Sequence, residues 1–132
     1  MIVGIGIDII EVERIKKACN SLRFLERVFT EEERKYFEKC GNNPQTIAGN
    51  FAAKEAVMKA LGTGFNVGWK NIEILHSSKG KPYVNLYGRA AYSLSCIGGK
   101  KVWVSISHIR GLAIAQVIME GEDGEYVCCN SN

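Results

Sequence analysis

A chain of 132 residues with 46% hydrophobic side chains suits one compact domain with a modest core and leaves little room for a second. Its formal charge of +3 is far from the strongly basic character of a dedicated nucleic-acid binder, and no apolar run approaches the ~18 residues of a membrane span. Five cysteines without Cys-x-x-Cys spacing favour neither a disulfide framework nor a zinc site, and point to a reducing compartment, the cytoplasm.

Ile2 to Ile10 alternates as a strand, with Val3, Ile5, Ile7 and Ile9 on one side and Gly4, Gly6 and Asp8 on the other. The stretch is too short and too glycine-rich for a secretory signal. Glycines beside Asp8 let a second backbone or a ligand come close. Without a third glycine, Gly4-x-Gly6-x-Asp8 gives no support to a dinucleotide site. Val12, Ile15 and Cys19 then mark the apolar line of a first helix. Arg14, Lys16, Lys17, Arg23 and Arg27 crowd this segment with only Glu26 among them, a surface suited to an acidic partner.

Thr30 to Glu33 spells a Thr-x-x-Glu capping box, which predicts a helix over 31–40 that stops at Gly41. Asn43-Pro44 supplies a cap and a first-turn proline for a long helix ending at Gly62. Within it, NFAAKEAVMKALG (50–62) carries Lys54, Glu55 and Lys59 among apolar residues, with no broad polar face to collect them. The helix is therefore expected to be buried nearly all round, where a charge is costly unless paired or bound. In the plainer reading Glu55 and Lys59 are an i,i+4 pair and Lys54 meets a carboxylate elsewhere.

Gly62, Gly64 and Gly68 predict a mobile or ligand-hugging loop. Asn71 to His76 and Tyr83 to Tyr87 flank Ser78-Lys79-Gly80-Lys81-Pro82 as a hairpin. Arg89 to Ile97 is a short helix closed by Gly98-Gly99, and Val102 to Ser107 with Leu112 to Met119 form a second hairpin around His108 to Gly111. Gly121 to Asn132 is polar and aperiodic, a frayed tail behind a domain spanning 1–120. This order predicts an α+β domain built on an antiparallel sheet with packed helices. Asp8 and Glu55 are the acids with least reason for their positions. Together they suggest Mg²⁺, which takes one or two carboxylates, waters and a substrate's phosphates.

Gly6-Ile7-Asp8, followed downstream by Phe51-Ala-Ala-Lys54-Glu55-Ala-Val-Met-Lys59, resembles the paired signature of the 4′-phosphopantetheinyl transferases, and in length their short bacterial holo-[acyl-carrier-protein] synthase class. The likeness runs from Gly4 to about Glu120 and includes FTEEE, AGNFAAKEAVMKALGTG, GKPYV, VSISH and AIAQVIME. It implies that family's fold as a single half-unit. The reaction implied moves 4′-phosphopantetheine from coenzyme A to a serine of apo-acyl carrier protein, in fatty acid biosynthesis, and releases adenosine 3′,5′-bisphosphate.

By the same resemblance Asp8 and Glu55 hold Mg²⁺ with the diphosphate. Glu55 is the candidate base, directly or through a water, and Lys59 steadies the diphosphate and leaving group. Lys54, Glu55 and Lys59 would then share the charged wall of that site. Gly62, Thr63, Gly64, Lys81, Pro82, Ser107 and His108 match positions near the nucleotide, and Arg14, Arg23 and Phe24 match the surface that receives the carrier protein. A homotrimer with active sites at subunit interfaces is implied too. The match departs at Asn50, where many relatives have Arg, which lowers affinity for a phosphate of coenzyme A or leaves that role to another cation, and at Ile109. The alternative is a module of the same fold that binds coenzyme A or a carrier protein without turnover. A nucleic-acid binder is disfavoured, since the basic segment offers only Phe24 and Phe29 for stacking.

Overall fold

The computed structural model describes residues 1–123. In chain order it comprises β1 (Ile2–Glu11), α1 (Val12–Ala18), α2 (Leu22–Val28), α3 (Glu31–Lys39), α4 (Pro44–Leu61), two 3₁₀ turns (Gly64–Val67 and Trp69–Asn71), β2 (Ile72–His76), β3 (Pro82–Leu86), α5 (Gly88–Cys96), β4 (Gly99–Ile109) and β5 (Leu112–Gly121). All pairing is antiparallel. A three-stranded sheet has the order β1-β5-β4, and β2-β3 stands apart as a hairpin.

α4 crosses the inner face of the three-stranded sheet. That face sets Gly4, Gly6, Asp8 and Ile10 of β1 beside Met119, Val117, Ala115 and Ala113 of β5. The helix answers with Ala52, Ala53, Ala56, Val57 and Ala60, all buried. Small side chains on both elements let the backbones come unusually close. A Cβ at Gly4 would lie 2.5 Å from the Ala60 carbonyl oxygen, and one at Gly6 would collide with that of Ala56. The approaching backbone foreseen beside Asp8 is thus α4 itself.

The expected burial of α4 holds, but its charges divide. Lys54 is wholly buried with its Nζ 2.7 Å from the carboxylate of Glu33, which is also wholly buried. It donates further to the carbonyls of Trp69 (3.0 Å) and Ile72, and lies 5.4 Å from the centre of the Phe29 ring. Glu33 closes the capping box of α3 by accepting from Thr30 N–H at 3.0 Å, and takes the Ile74 N–H at 3.2 Å. Lys54 therefore belongs to the core and not to a ligand wall. The reason lies in β2, whose edge away from β3 presents backbone groups that must find partners inside the protein.

Other departures have local causes. The basic segment is divided in two at Cys19–Ser21, where the Ser21 hydroxyl accepts from Phe24 N–H and starts α2. Gly62 ends α4 in the left-handed conformation (φ 74°), and the glycine-rich loop beyond it coils into the two 3₁₀ turns. β4 and β5 run further than their apolar cores suggest and leave only Arg110-Gly111 between them. His108 is consequently a strand residue and not part of the turn. β5 continues to Gly121, while the remainder of the predicted tail, with Cys128-Cys129, lies outside the described residues from position 124 onward. Among the described residues no helix is long and apolar enough to cross a membrane.

Removing one partner of the Lys54–Glu33 pair strands a buried charge. Lys54→Ala is expected to lower the unfolding free energy by ~3–5 kcal/mol in urea titrations. A loss below ~1 kcal/mol would place Lys54 among ordinary surface pairs.

Candidate functional site

The close contact of β1 with α4 has a chemical result at the next inward-facing position of the strand. Asp8 is 8% exposed and lies against Glu55 and Lys59, which are one helical turn apart. Lys59 Nζ donates to Asp8 Oδ1 at 3.0 Å and to the Ile7 carbonyl at 3.0 Å, while its side chain is 57% exposed. No N–H group or hydroxyl among the described residues reaches the buried Asp8 Oδ2, and the Glu55 carboxyl lies within hydrogen-bonding range of Asp8. Burial, and next the negative charge of Asp8, push the Glu55 carboxyl up to about 7; Lys59 and Arg14 act in the opposite sense.

Two carboxylates at that range and one half-exposed lysine are short of positive charge. Such a donor set suits a hard cation. Among the described residues no group of three or more His, Cys, Asp or Glu gathers anywhere, so an all-protein cage is absent. Mg²⁺ asks for less, because waters and substrate phosphates complete its coordination. The residues present fit it.

Glu55 and Lys59 also line a cavity of about 250 Å³ with Met58, Gly62, Gly64 and Phe65. Gly62 and Gly64 both have positive φ (74° and 62°), and leave the cavity wall without side chains. Thr63 between them has a buried hydroxyl without a partner among the described residues. Phe65, 67% exposed and tilted on Trp69 at 5.4 Å, was not singled out from the sequence. Its position directly after the glycine pair is the signal that could have found it.

The other expected residues are elsewhere in the chain. Lys81 and Pro82 line a separate cavity of about 310 Å³ with Ser77, Tyr83 and Trp103, sharing no residue with the first. Ser107 and His108 are exposed near the end of β4. His108 pairs with Ala113, which pairs with Ile10, so its side chain is on the same sheet face as Asp8 and leans on Gly49 of α4. Arg14 and Arg23 are exposed. Phe24 is half-buried, packed edge-on against Phe29 and tilted towards Phe51, each at 6.1 Å. Asn50 is fully buried and gives its amide to the Ile74 carbonyl at 3.1 Å, so the departure at this position is taken up by the interior of the chain. Ile109 is 62% exposed.

The model of the 4′-phosphopantetheinyl transferase superfamily matches residues 4–117, and the chain belongs to that superfamily. Within it the chain is 52% identical over 124 residues to the holo-[acyl-carrier-protein] synthase of Clostridium tetani, covering 92% of this chain and 98% of that one. It is 53% identical over 123 residues to that of Alkaliphilus metalliredigens, covering 89% and 98%. Among solved structures, the Helicobacter pylori holo-[acyl-carrier-protein] synthase in complex with coenzyme A matches with a TM-score of 0.76 at 34% identity, over 88% of this chain and 99% of that one. The Bacillus anthracis synthase, in complex with CoA (3′,5′-ADP), matches with a TM-score of 0.77 at 40% identity, over 92% and 99%.

A carboxyl that ionises late in the folded chain favours the protonated side of its titration. Glu55 holds a proton that the unfolded chain releases near 4.5, so metal-free stability is expected to fall as pH rises from about 4.5 to about 7. Carbon-detected NMR titration of Glu55 should give a midpoint near 7, lowered in Asp8→Asn and by added Mg²⁺. A midpoint near 4.5 in the metal-free protein would contradict the coupling.

Proposed function

We propose that the chain transfers 4′-phosphopantetheine from coenzyme A to the serine hydroxyl of an apo-acyl carrier protein of fatty acid synthesis, with Mg²⁺, in the cytoplasm. The observation that carries this reading is the convergence of Asp8, Glu55 and Lys59, the last two of which also line the glycine-walled cavity. Asp8 and Glu55 would hold the metal, and Mg²⁺ when bound neutralises charge on the diphosphate. Lys59, anchored by the Ile7 carbonyl and Asp8, lines the same cavity and would offset charge on the leaving phosphate.

In the transfer the serine oxygen forms a bond to the phosphorus that bears pantetheine, and the bond from that phosphorus to the bridging oxygen breaks. Adenosine 3′,5′-bisphosphate leaves with the electron pair. Glu55, at the cavity rim, receives the serine proton directly or through a water. The backbone at Gly62 and Gly64 admits the diphosphate at close range. Arg14 and Arg23, exposed, with the apolar Phe24 nearby, receive the acidic carrier protein, and the influence of Arg14 on Glu55 makes this docking surface adjoin the carboxylates.

The outer face of the three-stranded sheet supports assembly into a homotrimer. It exposes Ile5 (68%), Ile7 (61%), Ile9 (57%) and Trp103 (44%), where a solvated antiparallel sheet would carry polar side chains. The separation of Lys81 and Pro82 from the carboxylates supports the same reading. Lys81, Pro82, Ser107 and His108 of one subunit would complete the nucleotide site of the next.

Intact mass spectrometry of apo-carrier protein incubated with coenzyme A and Mg²⁺ should register the added phosphopantetheine, and Asp8→Ala or Glu55→Ala should cut the rate at least ~100-fold. Tight coenzyme A binding by calorimetry without transfer would favour a binding module instead. Ile7→Glu is expected to yield a monomer by light scattering, with transfer lost; a monomeric wild-type chain that transfers at full rate would overturn the interface site.

A further inference from the structure

We infer that Asn50 is a positioning residue for coenzyme A, acting through the β2-β3 hairpin and without touching the ligand. The inference rests on the transferase reading only for what the hairpin holds. It begins with the outer edge of β2. On an antiparallel strand alternate residues turn both backbone groups towards the partner, and the residues between turn theirs away. In β2 the groups turned away from β3 belong to Ile72, Ile74 and His76, and no further strand among the described residues meets them; the first two are tied to the body of the protein.

Side chains and a turn take the place of that strand. Ile72 N–H donates to the Trp69 carbonyl, and the Ile72 carbonyl accepts from Lys54. Ile74 N–H donates to Glu33, and the Ile74 carbonyl accepts from the Asn50 amide at 3.1 Å. Asn50 is 0% exposed, and its orientation is settled by chemistry, since the flipped amide would set oxygen against oxygen. It reaches no surface from which it could touch a nucleotide.

The place of this bond along the hairpin gives it leverage. At the base, the carboxylate of Glu73 accepts from Thr30 (2.6 Å), Tyr87 (3.0 Å) and Asn85 (3.3 Å), so that end is held from both strands and from α3. Ile74 is one step nearer the turn, and His76, two residues on, pairs with Pro82. Past Ile74 the ring of His76 stacks on Tyr36 at 4.3 Å, but its Nδ1 is buried without a partner among the described residues. Among the described residues the Asn50 bond is thus the last hydrogen bond from the body of the protein to the β2 backbone before the turn that carries Lys81 and Pro82, while β3 on the other side packs beside β4. Within the turn, Ser77 N–H bonds the Lys81 carbonyl and Lys81 N–H bonds the Ser77 hydroxyl, so Ser77 to Lys81 moves as one piece. Loosening at Ile74 therefore tilts Lys81 and Pro82 together and leaves Asp8, Glu55 and Lys59, on β1 and the next turns of α4, in place.

The test compares Asn50→Leu, which leaves the Ile74 carbonyl unpaired in a filled site, with Asn50→Ser, which keeps the interior folded should leucine overpack. Each should raise KM for coenzyme A about tenfold with kcat within about twofold of wild type, the size of one lost buried hydrogen bond. Combined with Lys81→Ala, the rise should not exceed that of Lys81→Ala alone, because both act through one contact. Hydrogen exchange on the chain without substrate should show amides of Ser77 to Tyr83 exchanging about tenfold faster, with Asp8 to Ile10 unchanged. An unaltered KM, multiplicative effects in the double variant, or unaltered hairpin exchange would each overturn the inference. A wild-type chain that transfers nothing would sink the transferase reading separately, and the exchange measurement would still decide whether Asn50 ties the hairpin.

Discussion

The site depends on the absence of two side chains. Gly4 and Gly6 let β1 lie against the carbonyls of Ala60 and Ala56, where no Cβ would fit. The strand therefore reaches the helix backbone, and the next inward position, Asp8, meets Glu55 and Lys59 at hydrogen-bonding range instead of across a layer of apolar side chains. The alanines of α4 serve the same end from the other side. They cost little side-chain entropy and keep the helix thin where the strand crosses it.

Once β1 and α4 are in contact, the charges of the helix fall into two separate tasks. Lys54 turns away from the strand and, with Glu33, satisfies the open edge of β2, a burial that is tolerable because both ions are fully hydrogen-bonded. Glu55 and Lys59 turn towards β1 and stay partly open to water. One residue of helical rotation, about 100°, separates a structural ion pair from a chemical one. The buried pair holds Trp69 and Ile72 next to α4, and the loop between α4 and β2 that lines the cavity is thereby fixed at its far end.

The long helix, its cap at Asn43, its stop at Gly62, the capping box at Thr30 and both hairpins were legible because each has a local cause: a side-chain cap, a proline, a glycine with positive φ, or strict alternation. So were Asp8, Glu55 and Lys59, as charges on surfaces too apolar to explain them. The assignment of Lys54 was not legible, since its partner Glu33 comes from a capping box whose sequence pattern already accounts for a glutamate. The break before Ser21 was hidden by a run of good helix formers on both sides. The inward turn of Asn50 was hidden because it answers a backbone carbonyl of β2, a need that exists only once the strand has taken its place at the edge. Lys81 and Pro82 line a cavity that shares no residue with the one that Glu55 and Lys59 line. Under the proposed assembly a neighbouring copy would bring Lys81 and Pro82 to the carboxylates, and no local pattern encodes such a partner.

Gly6→Ala tests the central claim most directly, because it keeps every charged side chain of the site and adds only one methyl between β1 and α4. With helix content by circular dichroism unchanged, phosphopantetheine transfer should fall at least ~100-fold and the Glu55 midpoint should drop as Asp8 is moved away. Wild-type transfer by Gly6→Ala would contradict the claim that this contact builds the site.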